Sequence, residues 1–450
     1  MKQFFEQLSH GSLALILGYG VTGQALADFC DKQGWHYVIA EDNNTVSRSS
    51  KFFKGQLART HTNFATQKIC CLFHSPGVSL DHPLVLQARQ EIIPVLSELE
   101  LASHFIKGEL IGVTGTNGKS TTVKLLNSLL CDAGLTSSLK GNYGSPLITA
   151  ASEPPTFYCI VEESSYQLEI IDKLRHKFAV CLNITDDHFD RHRDIKAYAA
   201  AKGMITKNAT PDDFFIYNHD DPWCVRLSHG TLAKKLPFSL VNRFEEGGFL
   251  EGENLVVRLS GREHVFPTTE CSLIGMHNQE NMLAALLVAL NIKNDTATVT
   301  SYKKTLENFV PLPHRMEKFH VKDGITFIDD SKGTNVGAVV MALASLSGKI
   351  ILLGGGVDKG GDYSPLKGLL QGKVKRLIVF GEAQKKMQQA LKEAVEVTVV
   401  KDMREAVLAA KACATMGDTV LLSPACSSFD QYKNYRERGQ DFQKCVKENF

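Results

Sequence analysis

The chain is 450 residues long, which at roughly 150 residues per domain corresponds to about three domains. Hydrophobic residues make up 43%, and 50 Lys plus Arg against 49 Asp plus Glu leave a formal charge of +1. This balance excludes collagen, long coiled coil and bulk disorder, and provides no global field to attract nucleic acid or an anionic membrane surface.

Eleven cysteines without a CxxC pair fit reduced thiols better than a disulfide framework or a zinc site. The opening MKQFFEQLSHGS lacks the apolar stretch and cleavage site of a secretory signal. The most apolar run, 282–290, is far shorter than the ~20 residues of a membrane helix. The expectation is a soluble, cytoplasmic protein without an integral membrane segment or a nucleic-acid partner.

From the N-terminus onward, apolar strands alternate with turns and amphipathic helices, the rhythm of α/β folds with mostly parallel sheets. A buried strand at 13–17 turns through GYGVTG (18–23) into a helix reaching about Lys32, and a second strand covers 37–40. A domain boundary falls at 97/98, before the strand 110–114 opens a new βα unit. Strands 157–161 and 178–182 belong to this unit, and 255–266 reads as a hairpin turning at Ser260-Gly261. The apolar helix 279–290 is suited to burial, and Pro311-Leu312-Pro313 interrupts either periodicity, which sets a second boundary at 311/312. Strands 325–329, 349–353, 376–380, 397–400 and 419–422 then form a third, doubly wound unit.

Two glycine-rich loops carry chemistry. Gly18, Gly20 and Gly23 form G-x-G-x-x-G directly after a strand, with Glu41 and Asp42 near the end of the next. Such a loop permits close backbone approach to a diphosphate at a helix N-terminus. By itself it leaves a nicotinamide cofactor, another diphosphate or simple helix packing open. The sharper signal is GTNGKST (115–121), between the strand LIGVT and the helix TVKLLNSLL. Its backbone N–H groups can surround phosphates, Lys119 can reach the β- and γ-phosphates, and Ser120 can offer oxygen to Mg²⁺. Val113 stands where the standard P-loop has its first glycine, so this loop is shorter than usual.

Glu162 ends the strand FYCIV, at the edge where α/β proteins bind ligands. NITDDH (183–188) follows another strand, and Lys202 lies in the helical YAAAKG. A lysine becomes a ligand for a hard cation only after carbamylation gives it an anionic oxygen.

In order, GTNGKST, Glu162, His188, Lys202, GMHNQEN (275–281) and PHRME (313–317) resemble the Mur ligase family, which builds the peptide of peptidoglycan. The likeness covers essentially the full chain. GNYGSP (141–146), ESSYQLE (163–169), DDSKGTN (329–335) and SPACSSFDQYKNYRERG (423–439) resemble the branch of that family that adds D-glutamate. The implied fold is α/β in three domains. The first, 1–97, is Rossmann-like. The second, 98–311, is P-loop ATPase-like with a small additional sheet, and the third, 312–450, is again Rossmann-like.

The resemblance also implies roles. The UDP-linked precursor would lie on Gly18, Gly20, Val21, Thr22, Gly23, Glu41, Asp42, Ser75, Gly77, Asn142 and His188. ATP would be held by Gly115, Thr116, Asn117, Gly118, Lys119, Ser120 and Thr121. Asn278 and Asn281 would contact adenine, and His314, Arg315, Asp330 and Lys332 would complete the site from the third domain. D-Glutamate would meet His188, Lys332, Thr334, Lys359, Ser428 and Tyr435. Two Mg²⁺ are implied, one near Ser120 and Glu162, the other near His188 and a carbamylated Lys202, so that Lys119, Glu162, His188 and Lys202 form the catalytic set. The implied reaction is ATP-dependent coupling of D-glutamate to UDP-N-acetylmuramoyl-L-alanine through an acyl phosphate, carried out by a monomer. His188 is the candidate base for the incoming amine.

Four positions depart from the family pattern: Tyr435 for Phe, Gly333 for Ala, AEDN (40–43) after the second strand, and Glu163 where an apolar neighbour of Glu162 is common. Two rival readings are a ligase for another amino acid or for folate, and a noncatalytic nucleotide sensor. DDSKGTN and SPACSSFDQYKN disfavour the first; Lys119, Glu162, His188, Lys202 and Asp330 together disfavour the second.

Overall fold

The computed structural model describes residues 2–41, 46–57, 64, 66–187, 191–358 and 360–450. Its first sheet has five strands: β1 (Leu13–Leu17), β2 (His36–Ala40), β3 (Phe53–Leu57), β4 (Ile69–His74) and β5 (Val95–Ser97). All are parallel, in the order β3-β2-β1-β4-β5. The LALIL of β1 reads as one apolar run because helices cover both of its faces. The strand order reverses between β1 and β4, which opens a crevice at their C-terminal ends. Gly18 and Ser75 meet there, Ser75 Oγ donating to the Gly18 carbonyl at 3.2 Å. Gly23 has no alternative: a Cβ on it would lie 2.0 Å from that carbonyl oxygen, where the helix Val21–Gln33 starts against the loop.

The central sheet contains β6 (Glu109–Thr114), β7 (Ser137–Gly141), β8 (Tyr158–Glu162), β9 (Phe178–Cys181), β10 (Phe214–Asn218) and β11 (Lys234–Ser239). It continues through β12 (Gly247–Glu251), β13 (Asn254–Leu259) and β14 (Arg262–Pro267), in the order β14-β13-β12-β11-β10-β9-β6-β8-β7. The hairpin turns at Ser260-Gly261 as expected. It does not stand apart as a small additional sheet: β13 pairs antiparallel with β12, which joins β11 in parallel at Phe238↔Gly248 and Ser239↔Phe249, so the hairpin becomes the far edge of the main sheet. The helix Met276–Ile292 is buried at every position from Asn281 to Leu290, which explains its lack of a polar face.

The third sheet comprises β15 (Glu317–Lys322), β16 (Ile325–Asp329), β17 (Ile350–Gly355), β18 (Val374–Phe380), β19 (Val397–Val399) and β20 (Thr419–Leu422). Its order is β15-β16-β20-β17-β18-β19, parallel except at the β15 edge. Among the described residues no helix is long and apolar enough to cross a membrane.

The three units are joined by different physics. Phe29, Phe73 and Leu96 of the first unit share one continuous apolar cluster with Leu99, Leu147, Ile148 and Leu168 of the second. Within the second unit, the buried Glu100 carboxylate accepts the backbone N–H groups of Asp172, Lys173 and Leu174 at 2.8–3.1 Å and fixes the start of that unit to its body. The third unit keeps two apolar cores of its own and meets the second through polar groups.

Arg438, fully buried, holds the third unit's loops together. It donates to Ser331 Oγ (3.1 Å) and O (2.9 Å), Gly355 O (3.2 Å), Cys426 O (3.0 Å) and Ser427 O (3.3 Å). Burial without a carboxylate partner lowers its pKa to about 10. Arg438→Ala would leave buried acceptors without donors, each costing about 1–3 kcal/mol. We expect a loss of roughly 3 kcal/mol or more in the third unit, read as a lower urea midpoint of that unit's transition.

Candidate active site

The phosphate loop follows β6 and ends where Gly118 begins the helix Lys119–Asp132. Gly115 and Gly118 have φ of +149° and +86°, conformations that favour glycine. Gly118 also lies against another element: a Cβ there would lie 2.2 Å from Asn281 Oδ1. Lys119 folds back, its ammonium donating to the carbonyls of Gly115 (2.6 Å) and Thr116 (2.8 Å). The Asn117 N–H donates to Asn183 Oδ1 at 2.8 Å, so NITDDH braces the loop from the neighbouring strand.

Lys202 reaches the same loop from behind. It lies in the helix Ile195–Gly203, which Asp194 caps through the Ala197 N–H. Only 1% exposed, its ammonium donates to Gly115 O at 2.8 Å and stands 4.6 Å from the centre of the Tyr198 ring. Burial first, and then the charge of Lys119, lower its pKa from 10.5 to about 7.

Glu162 and Glu163 are separated by strand alternation. Glu162 Oε1 accepts from Asn142 Nδ2 at 2.8 Å, while its buried Oε2 has no partner among the described residues. Burial raises the pKa of the Tyr143 phenol, which also interacts electrostatically with Tyr435, Arg315, Arg436 and Glu162. Glu163 instead meets His176 Nε2 at 2.8 Å, in space left by Gly112. Burial opposes a charge on His176, yet the Glu163 carboxylate lifts its pKa above the ordinary value. The acidic neighbour therefore does not displace Glu162.

The third unit closes the front. Arg315 Nη2 donates to Ser120 Oγ at 2.8 Å. Asn335 exchanges hydrogen bonds with the Asn117 amide (3.3 and 3.4 Å) and donates to Asp187 at 3.0 Å. Between the two units lies a cavity of about 1200 Å³ whose walls include Gly118, Asn281, Arg315, Asp330, Lys332 and Thr334. Asn117, Thr121 and Asn278 also face it. The side chain of Asn278 does not cap its helix; it donates to Ile274 O at 2.8 Å.

His314, at φ +60°, pairs with Asp329 at 2.7 Å behind this wall, and that hydrogen bond raises its pKa. Burial raises Asp330 to about 7, although Ser423 Oγ donates to it at 2.7 Å. Gly333 is required by this arrangement, since a Cβ would lie 2.5 Å from Asp330 Oδ2. Lys332 stands 4.2 Å from the Tyr435 ring centre, and the hydroxyl that distinguishes Tyr435 from Phe accepts from Arg436 Nε at 3.3 Å. Ser428 is buried; neither it nor Tyr435 is on the cavity wall.

The first unit's residues gather at its own crevice. Gly20 begins the helix, Val21 is exposed and Thr22 half-buried, and Gly77 is open to solvent. Glu41 turns inward and accepts the Tyr19 N–H at 3.1 Å. Arg191 ties this crevice to the second unit, donating to Val78 O (2.9 Å) and to Glu169 (2.6 Å). Asp42, His188 and Lys359 lie outside the described residues. The bond from Arg191 to Val78 and that from Asn335 to Asp187 were not legible in the sequence, because each joins residues more than a hundred positions apart.

The Mur ligase middle domain matches residues 113–289, and the Mur ligase, glutamate ligase domain matches residues 314–426. A UDP-N-acetylmuramoylalanine--D-glutamate ligase from Trichlorobacter lovleyi is 41% identical over 443 residues, spanning 96% of this chain and 98% of its own. The chain belongs to the Mur ligase family. Another such ligase, from Syntrophotalea carbinolica, is 36% identical over 446 residues and 97% of each chain. Among solved Mur ligases, MurF from Acinetobacter baumannii superimposes with a TM-score of 0.64 at 15% identity over 98% of both chains. MurC from Thermotoga maritima gives 0.59 at 16% identity, over 98% of this chain and 100% of that one. These two share the three-domain α/β fold.

In this Mur ligase, Lys202 makes folding pH-dependent. Between pH 7 and 10.5 the folded lysine binds fewer protons than the unfolded one, so its cost grows as pH falls through that window. Lys202→Met leaves Gly115 O bonded to Lys119 and removes the buried amine. Urea unfolding should show a gain of about 1–3 kcal/mol at pH 7 that narrows toward pH 9.5. An equal or opposite effect at both values would contradict the buried-amine account.

Proposed function

We propose that this chain joins D-glutamate to UDP-N-acetylmuramoyl-L-alanine, using ATP, as a cytoplasmic, monomeric enzyme of peptidoglycan precursor synthesis. The observation that carries this reading is near-full-length identity of 36–41% to ligases of that name, combined with a phosphate loop that opens on a cavity between two domains. A carboxylate resists attack by an amine because it is anionic and lacks a good leaving group. Transfer of the γ-phosphoryl of ATP to the L-alanine carboxylate gives an acyl phosphate and ADP. The D-glutamate amine, once deprotonated, attacks the carbonyl carbon, and phosphate departs as the amide C–N bond forms.

The chain's own groups suit these steps. Lys119, and Arg315 from the third unit, bring positive charge to the phosphate loop where the transferred group gathers negative charge. Asp330, Lys332 and Thr334 are the nucleotide and D-glutamate contacts on the facing wall, with Lys359, Ser428 and Tyr435 completing the amino-acid pocket. Closing the two units over the cavity excludes water, which would otherwise hydrolyse the acyl phosphate. His188 is the candidate base for the D-glutamate amine. The precursor lies on the first unit, along Gly18–Gly23, Glu41, Asp42, Ser75, Gly77 and Asn142.

The donor chemistry fits Mg²⁺: Glu162 Oε2 is a buried carboxylate oxygen lacking a partner among the described residues, and Ser120 offers a hydroxyl oxygen on the loop. Ser120 and Glu162 would hold one ion, His188 and a carbamylated Lys202 a second, and bound Mg²⁺ would neutralise charge on the phosphates. A pKa near 7 keeps much of Lys202 as free amine at neutral pH, the form that adds CO₂ to give a carbamate.

The deciding assay measures phosphate release and product mass with UDP-N-acetylmuramoyl-L-alanine, ATP, Mg²⁺ and a panel of amino acids. Release is expected with D-glutamate but not with L-glutamate, L-alanine or L-lysine. Nucleotide binding without amide formation would favour the sensor reading. Lys119→Ala should lower turnover by about 10²-fold or more. Lys202→Ala should lose activity and partly regain it with a small carboxylic acid.

A further inference from the structure

Three carboxylates, Asp220, Asp221 and Glu280, stand on the wall of the interdomain cavity alongside Asn278. Two of them are occupied. Asp220 accepts from Ser239 Oγ at 2.6 Å and the Leu240 N–H at 2.7 Å. Asp221 accepts the N–H groups of Trp223 (2.9 Å), Cys224 (3.0 Å) and Ile184 (2.8 Å).

Glu280 is different. Its Oε1 accepts from Asn218 Nδ2 at 3.1 Å, and its other oxygen has no partner among the described residues. The Asn218 amide cannot be reversed without loss, because its Oδ1 already accepts the Asp220 N–H at 2.9 Å. The two asparagines expected at the base are partly committed. Asn281 donates to Asn278 Oδ1 at 3.3 Å and accepts from Thr122 Oγ1 at 3.2 Å, while Asn278 donates to Ile274 O. The strongest uncommitted acceptor at this end is therefore a carboxylate two residues beyond Asn278.

We infer that Glu280 selects the base of the nucleotide, its uncommitted oxygen accepting the exocyclic amine of adenine. Burial raises Glu280 to about 7, so selection belongs to the ionised form that predominates above that pH; an ionised carboxylate only accepts hydrogen bonds. Adenine presents an amine donor at its 6-position, whereas hypoxanthine and guanine present an acceptor oxygen there. The same wall therefore attracts ATP and repels ITP or GTP. This inference rests on the reading of the cavity as an ATP site. Glu280 was not singled out within GMHNQEN because only the fold turns it toward Asn218, on a different strand.

The test is calorimetric titration of the full chain with ADP and with IDP at about pH 8.5, where Glu280 is ionised, before and after Glu280→Gln. The unaltered protein should prefer ADP by about 30-fold or more. In the variant, the glutamine oxygen stays on Asn218 Nδ2, since only an acceptor satisfies that donor, and its amino group turns to the cavity. The ADP-to-IDP affinity ratio should then fall by about 30-fold. Equal affinities in the unaltered protein, or a ratio unchanged by the substitution, would overturn base selection. So would a changed preference for 2′- or 3′-deoxy-ADP with a constant ADP-to-IDP ratio, which would move the contact to the ribose. Failure to bind either nucleotide would overturn the cavity's assignment as well. ADP binding without D-glutamate-dependent turnover would remove the ligase reading and leave base selection standing.

Discussion

One carbonyl oxygen, that of Gly115, accepts hydrogen bonds from two lysine ammonium groups, Lys119 at 2.6 Å and Lys202 at 2.8 Å. Much of the site depends on this convergence. The loop is held at the end of β6 by a cation on its open side and another buried behind it. Burial first, and then repulsion between the two like charges on one acceptor, lower the pKa of the buried lysine. Chemistry at the loop and the energetics of the central core are thus coupled through a single backbone atom.

Around that loop the three units meet through interfaces of unequal character. The first and second share an apolar core, so separating them would expose apolar surface. The second and third meet through amides, hydroxyls and one guanidinium, which water can replace at small net cost. This asymmetry suits an enzyme whose cavity must admit a nucleotide and then exclude water. Arg191 ties the first unit's crevice to Glu169 of the second, whereas the third unit is held by these polar contacts.

Three of the four departures from the family pattern have a local physical reason. Gly333 makes room for the Asp330 carboxylate, the Tyr435 hydroxyl is occupied by Arg436, and Glu163 turns to His176. In each case a departure is matched by a neighbour that satisfies it, so the loops keep their arrangement.

What the sequence by itself determined was local. GTNGKST needs only a strand before it and a helix after it, and β1, β16 and β20 were readable to the residue because apolar runs between turns have a single solution. The polar edge strand SSLKG of β7 and the FKGQL of β3 gave no such pattern, since an exposed edge is half-solvated and its strand state depends on a neighbour. Tertiary structure alone decided that Glu162 meets Asn142 while Glu163 turns to His176, that the 255–266 hairpin extends the central sheet, and that Arg438 and Glu280 have their respective partners. Those outcomes depend on strand register and on contacts between residues distant in the chain, and neither leaves a periodic trace in the order of amino acids.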